Sequence, residues 1–184
     1  MKTSEKVVIW SLLGLLVVLI AAWATYKKGW WSLPASREIY VYFVRHSRNE
    51  AELVPVRRKS SGRSLQQRVR LAVGELIAGP TEEEKKEGLY NAVPAATRLL
   101  DCRVENGTVW LDFSAEVEEG GGTQDMEERL AQIVFTATQF DEASQVQLLI
   151  EGKTLKYFGG EGITEVEHPL KRRDFAGFYS GGKP

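Results

Sequence analysis

Residues 110–140, WLDFSAEVEEGGGTQDMEERLAQIVFTATQF, carry a strand, a glycine-rich loop and a helix in succession. Val109, Leu111 and Phe113 alternate as one face of a strand does. Met126, Leu130, Ile133, Val134 and Ala137 recur at helical spacing and predict a helix over about 125–140. Between them, Gly120, Gly121 and Gly122 are either a phosphate cradle or a hinge. A cradle needs glycine amides at a helix start and, in the phosphate-loop pattern, a Lys followed by Ser or Thr. Here Thr123, Gln124, Asp125 and Met126 follow, and the dinucleotide pattern G-x-G-x-x-G also fails. Glu116, Glu118, Glu119 and Asp125 surround the loop. At an effective dielectric of about 20, one like-charge pair roughly 6 Å apart costs about 2–3 kcal/mol before screening. The expectation is a hinge that binds no nucleotide.

On the N-terminal side, TRLLDCRVENGTVWLDFS (97–114) is a hairpin signal. Asn106-Gly107 suits a two-residue turn in which both positions take positive φ. Leu100, Cys102 and Val104 are expected inward on one arm and Val109, Leu111 and Phe113 on the other, leaving Trp110 on the opposite face, covered by a loop or helix. On the C-terminal side, SQVQLLIEGKTLKYF (144–158) reads as a further hairpin turning near Glu151-Gly152, with Val146, Leu148, Ile150, Leu155 and Tyr157 half-buried. Upstream, REIYVYFV (37–44) is a strand by its β-branched and aromatic content, HSRNE a turn, and AELVPVRRKS (51–60) a strand whose Pro55 asks for a sheet edge. Ser64 opens a helix through a capping box with Gln67, which Gly79-Pro80 ends. Thr81 caps a short acidic helix. The order strand-strand-helix-strand-strand-helix-strand-strand predicts an α+β fold, a mixed or antiparallel sheet of hairpins with two helices on one face.

The flanks are of another kind. VVIWSLLGLLVVLIAAWA (7–24) is uncharged over 18 residues, at the lower limit for a membrane-spanning helix. Trp23, Tyr26, Trp30 and Trp31 cluster at its far end, as interfacial aromatics do. It reads as an uncleaved single-pass anchor; a cleaved signal peptide ending at Ala22-Trp23-Ala24 is the rival, and either places the domain outside the cytoplasm. The expected partition is therefore 1–36 for a cytoplasmic terminus, anchor and linker, 37–176 for the domain, and 177–184 for a disordered tail.

The net charge of −1 carries no general excess of cations, so nucleic acid is not an expected partner. No H-x-x-x-H, C-x-x-C or G-x-S-x-G occurs, and no metal, cofactor or catalytic residue is assigned. Cys102 reads as a small buried hydrophobe. His46 and His168 read as exposed loop residues. Carboxylates are plentiful, but nothing selects a glycosidase pair. The candidate interaction residues are Arg45, Arg48, Arg57, Arg58, Lys59 and Arg63, against only Glu50 and Glu52 in that stretch; residues 114–128 hold six acids and no Lys or Arg.

From the first helix onward, ELIAGPTEEEKKEGLYNAVPAATRLL, VENGTVWLDFS, LAQIVFTATQF, VQLLIEGK and PLKRRDF occur in the order found in the GerMN domain, the sporulation and spore-germination domain. The resemblance extends over about 40–175. It implies a non-enzymatic extracytoplasmic domain tethered by a transmembrane helix or a lipid, with an α+β fold related to ring-building motifs. Members in spore formers support envelope-spanning complexes; relatives also occur in bacteria that never sporulate. This chain lacks the lipoprotein members' Cys at the end of the apolar segment, and carries one domain copy. The resemblance brings no catalytic residues. It gives structural parts to Gly79-Pro80, Pro94, Phe140 and Phe175, and to Asp112 the part of a turn cap. The functional expectation is a membrane-anchored interaction module docking envelope or membrane proteins, with possible head-to-tail self-association between basic and acidic segments. A binding module for an anionic cell-wall polymer and a cell-wall glycan hydrolase are the alternatives.

Overall fold

The structure, a computed structural model, describes residues 14–16, 23, 37–47, 50–159 and 164–178. The chain divides into two compact units, Met1–Ala35 and Ser36–Pro184. In the first, 14–16 and 23 are helical. Among the described residues, no helix is long and apolar enough to cross a membrane. The expected anchor at 7–24 falls almost wholly outside them, as do residues 179–184 of the expected tail.

In the second unit, strands β1 (Arg37–Ser47) and β2 (Glu50–Ser60) pair antiparallel from Arg37↔Ser60 to Ser47↔Glu50. His46 and Ser47 thus belong to β1, not to a turn, which corrects the sequence reading. Strand β3 (Leu89–Tyr90) joins the other side of β1 at Val44 and Arg45, giving the order β2-β1-β3. Two residues are too few to show periodicity, so β3 was not anticipated. Pro55 sits on an edge strand, as expected. It lies opposite Tyr42, whose own N–H and C=O turn away from β2 to bond Thr136 and Gln132. Tyr42↔Pro55 is therefore a non-hydrogen-bonded pair, and the N–H that proline lacks is missing only from the outer edge.

Strands β4 (Leu99–Glu105), β5 (Thr108–Phe113) and β6 (Gln145–Ile150) form a second sheet in that order. Asn106 (φ 51°) and Gly107 (φ 78°) make the expected hairpin turn between β4 and β5. A register shift between Leu99 and Asp101 turns Leu100 outward, 45% exposed, whereas the inward reading holds for Cys102, Val109, Leu111 and Phe113. β6 pairs parallel with β5, from Thr108↔Gln145 to Phe113↔Ile150. Its hairpin with the chain that follows is limited to one pair, Ile150↔Lys153, which exchange backbone bonds at 2.9 and 3.0 Å. Glu151 (φ 49°) and Gly152 (φ 77°) do turn the chain there, and Asp112 Oδ1 accepts from Gly152 N at 2.9 Å. Beyond them, β7 (Tyr157–Phe158) pairs with β8 (Thr164–Glu165), and Phe158, not Tyr157, is buried. The single sheet expected from the element order is thus two three-stranded sheets and a short ribbon.

Helix α1 (Leu65–Ala78) begins with the expected Ser64–Gln67 capping box and buries Val69, Ala72, Val73 and Leu76 against β1 and β4. Helix α2 (Glu82–Lys86) is a single exposed turn with a Thr81–Glu84 capping box. Helix α3 (Thr123–Ala137) is the crossover helix between parallel β5 and β6. Its apolar stripe is the predicted one, but Glu128, Arg129, Gln132 and Thr136 are buried as well. The expected pair of helices on one face does not describe it: α3 lies against the unpaired edge of β1 as well as against α1. Phe140 and Phe175 are buried in the core.

Candidate interaction surface and buried polar seam

A β-strand longer than its neighbour leaves backbone groups without a ladder. Tyr40 and Tyr42 of β1 extend past β3, and side chains of α3 and of Gln139 just after it take the place of the missing strand. Gln139 Oε1 accepts from Tyr40 N at 2.7 Å while its Nε2 donates to Tyr40 O at 2.7 Å, reproducing the double exchange of a bonded pair. Thr136 Oγ1 accepts from Tyr42 N at 3.1 Å, and Gln132 Nε2 donates to Tyr42 O at 2.9 Å. Gln132 Oε1 accepts from Ala92 N at 2.8 Å, joining the chain after β3 to the same seam. A spacing of four residues puts Gln132 and Thr136 on one face of α3, and Gln139 follows just past its C-terminal end. In the sequence these residues look like interruptions of an apolar stripe; their partners lie 40 to 99 residues away.

Glu128 continues the stripe one turn earlier. Its side chain is 1% exposed, and it accepts from Gln124 Nε2 at 2.8 Å and from the Tyr90 hydroxyl, with His46 Nε2 at 2.9 Å. The His46 ring packs edge-on to Tyr90, 5.0 Å between centroids. His46 is therefore exposed, as the sequence suggested, but it is a strand residue bonded to a buried carboxylate and not a loop residue. His168 is exposed, as expected.

The glycine loop is tied from the inside. Gly120 (φ 65°) and Gly121 (φ 89°) adopt conformations that favour glycine. Buried Arg129 donates to the carbonyls of Ala92 (2.8 Å), Val117 (2.6 Å) and Gly120 (3.1 Å). Burial pulls its pKa down from the usual arginine range, against the opposing pull of Asp125 and Glu118. Asp125 Oδ2 accepts from Gly122 N at 2.8 Å, so the start of α3 already holds a carboxylate of its own chain. This geometry is that of a hinge. Beside it lies a groove of about 570 Å³ between the end of α1 and the 91–95 segment, lined mainly by apolar residues with Lys85, Asn91, Asp125 and Arg129.

The basic residues singled out in the sequence are mostly paired within the domain. Arg45 meets Glu52 at 3.1 Å, and Arg57 meets Glu38 at 3.2 Å, both exposed. Arg58 is half-buried, forks onto both oxygens of Glu84 at 2.7 and 2.6 Å, and reaches Glu75 at 3.4 Å. The pairing raises the Arg58 pKa through the hydrogen bonds it donates to Glu84 and lowers that of Glu84 through the same bonds. Lys59 and Arg63 are exposed, and Arg48 lies outside the described residues. Of the five described, Arg45, Arg57 and Arg58 are engaged within the domain, and Arg58 is a staple between β2, α1 and α2.

Compared with known proteins, residues 40–156 match the family model Germane, described as sporulation and spore germination. The chain belongs to this family. Three solved structures share its fold. The tandem GerMN domains of the sporulation protein GerM from Bacillus subtilis align at TM-score 0.59 with 22% identity, over 77% of this chain and 47% of that one. The first GerMN domain of the same protein aligns at 0.58 with 24% identity, over 76% of this chain and all of that one (100%). A putative lipoprotein from Clostridium perfringens aligns at 0.54 with 18% identity, over 77% and 91%. This chain thus spans about half the tandem GerM structure. No curated protein matches it.

As a Germane domain, the unit places the residues that its family resemblance marks in structural positions. Gly79 ends α1 at φ 82°, its N–H donating to Glu75 O and Leu76 O. Ser114 Oγ accepts from Arg98 N at 3.0 Å, fixing the chain as it enters β4. Cys102 is buried, and desolvation pushes its thiol up to about 11, far from the thiolate a nucleophile requires. Among the described residues, no group of three or more His, Cys, Asp or Glu could hold a metal ion. Trp110 is half-buried, and the Arg103 guanidinium lies over its ring, 5.0 Å from the centroid.

Proposed function

We propose that this Germane domain is a non-enzymatic interaction module, held to the outer face of the bacterial cytoplasmic membrane by residues 7–24 and docking envelope or membrane proteins in assemblies of the sporulation and germination type. The observation that carries this reading is the use of its buried polar groups. Gln132, Thr136, Gln139 and Arg129 are bonded to the domain's own backbone, which makes them architectural and leaves the outer surface as the place for partners. Membrane attachment rests on the uncharged 18-residue segment and its aromatic exit. Head-to-tail contact between Arg45, Arg57, Arg58, Lys59 and the acidic residues 116–128 is a weaker part of the proposal, since three of those cations already have partners.

The test is crosslinking in the native membrane followed by recovery of the full chain. A discrete set of envelope proteins, with no release of glycan from wall material, is the expected result. Cleavage of wall glycan would replace the proposal with the hydrolase reading. Salt-sensitive retention on wall polymer without protein partners would replace it with the polymer-binding reading. An amino terminus at Thr25 in protein from the native source would remove the anchor.

A further inference from the structure

An edge strand exposes backbone donors and acceptors that can recruit another strand, and folds commonly blunt or cover them. Three edges here are treated in that way. The outer edge of β2 carries Pro55 at an outward position. The outer edge of β6 is occupied at Val146, which exchanges both backbone bonds with Leu170 at 2.9 and 2.8 Å. The free length of β1 is filled by Gln132, Thr136 and Gln139. Over Cys102–Val104 the edge of β4 has no proline, partner strand or side-chain filling among the described residues; its bulge lies before them, between Leu99 and Asp101.

The direction of the β4 backbone follows from its neighbours. Glu151 N donates to Phe113 O on the β6 side, and Ser114 N donates to Arg98 O on the β4 side. Alternation along β5 then turns Asp112 and Trp110 toward β4, where they meet Asp101 and Arg103. The N–H and C=O of Cys102 and Val104 therefore point outward.

We infer that β4 is a self-complementary edge that pairs antiparallel with β4 of a second copy about a two-fold axis at Cys102. Axes at Cys102 and at Val104 both set opposite charges against each other, and the one at Cys102 overlaps the whole of β4. With Cys102 opposite Cys102 of the partner subunit, Asp101 lies across from the partner's Arg103 and Arg103 from the partner's Asp101. Shifting the axis by one residue to Arg103 sets Arg103 against the partner's Arg103 and Asp101 against the partner's Glu105, which like charge disfavours. The chosen register also brings Leu100, 45% exposed, across from the partner's Val104. Asp101 and Arg103 are exposed, and Arg103 also lies over the Trp110 ring, 5.0 Å from its centroid. Their present pairs, Arg70–Asp101 at 3.4 Å and Arg103–Glu105 at 3.9 Å, are exposed and weak. The product is a continuous six-stranded sheet with an isologous interface, a closed pair distinct from head-to-tail growth. The inference goes beyond the proposed docking role and is independent of it.

The test uses the full chain in mild detergent, with mass followed by light scattering and sedimentation against concentration. Asp101→Arg leaves only cations at 101 and 103, and Arg103→Asp leaves only anions. Each variant alone should dimerise at least about tenfold more weakly than the parent. An equal mixture of the two should restore dimers to near the parent level, because each strand then meets its opposite charge. Melting curves close to the parent's identify variants that are folded. A parent that stays monomeric at the highest concentration reached would overturn the inference. So would single variants that dimerise like the parent, or a mixture that stays monomeric.

Discussion

The seam between α3 and β1 and the face of the β1–β2 hairpin are both rich in polar side chains, yet they do different work. In the seam, Gln132, Thr136 and Gln139 are wholly or partly buried and bond backbone groups that water cannot reach. On the hairpin, Arg45, Arg57 and Lys59 stand in solvent, where an ion pair contributes about 0–1 kcal/mol. A buried donor or acceptor stripped of its partner costs about 1–3 kcal/mol. Stability should therefore depend on the uncharged amides far more than on the conspicuous arginines.

That contrast can be broken most forcefully at Gln132. Gln132→Leu keeps the volume roughly but strands Tyr42 O and Ala92 N. The expected loss is about 2–5 kcal/mol. At about 2–4 °C per kcal/mol for a domain of this size, the melting temperature should fall by roughly 5–15 °C. Next is Arg129→Met, which removes the guanidinium from three carbonyls while filling its space. A loss of about 2–4 kcal/mol is expected, with faster proteolysis at 120–122 than in the parent. An unchanged melting curve for either variant would mean that water or relaxation replaces these bonds.

Arg58→Ala should fall between the two regions, costing about 1–2 kcal/mol because the pair with Glu84 is partly shielded and forked. The pH dependence has a definite sign. The folded pKa of Glu84 lies below its ordinary value of 4.5, so its contribution is fully present above that pH and is lost as pH falls through the folded pKa. The destabilisation by Arg58→Ala should accordingly shrink in acid below about pH 4.5. A penalty that stays constant down to the acid transition would contradict the assignment. Smallest of all, Arg45→Ala and Arg57→Ala should each change stability by less than about 1 kcal/mol, with any effect weakening in high salt.

Much of this architecture is local and was legible. The Ser64 capping box, the Thr81 cap, the Asn106-Gly107 turn and Pro55 at an edge each follow from a few neighbouring residues. What escaped was long-range. Whether Gln145–Ile150 pairs with the next segment or runs parallel to β5 depends on the crossover through α3, and alternation is the same in both cases. Leu100 was misplaced because one bulge residue reverses the facing of everything before it. The buried polar stripe had a weak signal, Glu128, Gln132, Thr136 and Gln139 at helical spacing, which reads equally as a solvent face. Only the position of β1 beside that helix distinguishes the two. His46 joined Glu128 for the same reason, across 82 residues of chain.

Amide hydrogen exchange resolved by residue addresses the seam most directly, because it compares backbone groups of one hairpin. Tyr40 and Tyr42 have no strand on the side away from β2, yet their N–H groups, which point that way, are held by Gln139 and Thr136. Arg57 and Lys59 stand opposite Tyr40 and Glu38 on the outer edge of β2. Tyr40 and Tyr42 should be protected close to the level of global unfolding while Arg57 and Lys59 exchange quickly, and Gln139→Leu should release Tyr40 selectively. If the Tyr40 and Tyr42 amides exchange as fast as those of Arg57 and Lys59 in the parent chain, the side-chain seam does not hold the edge of β1.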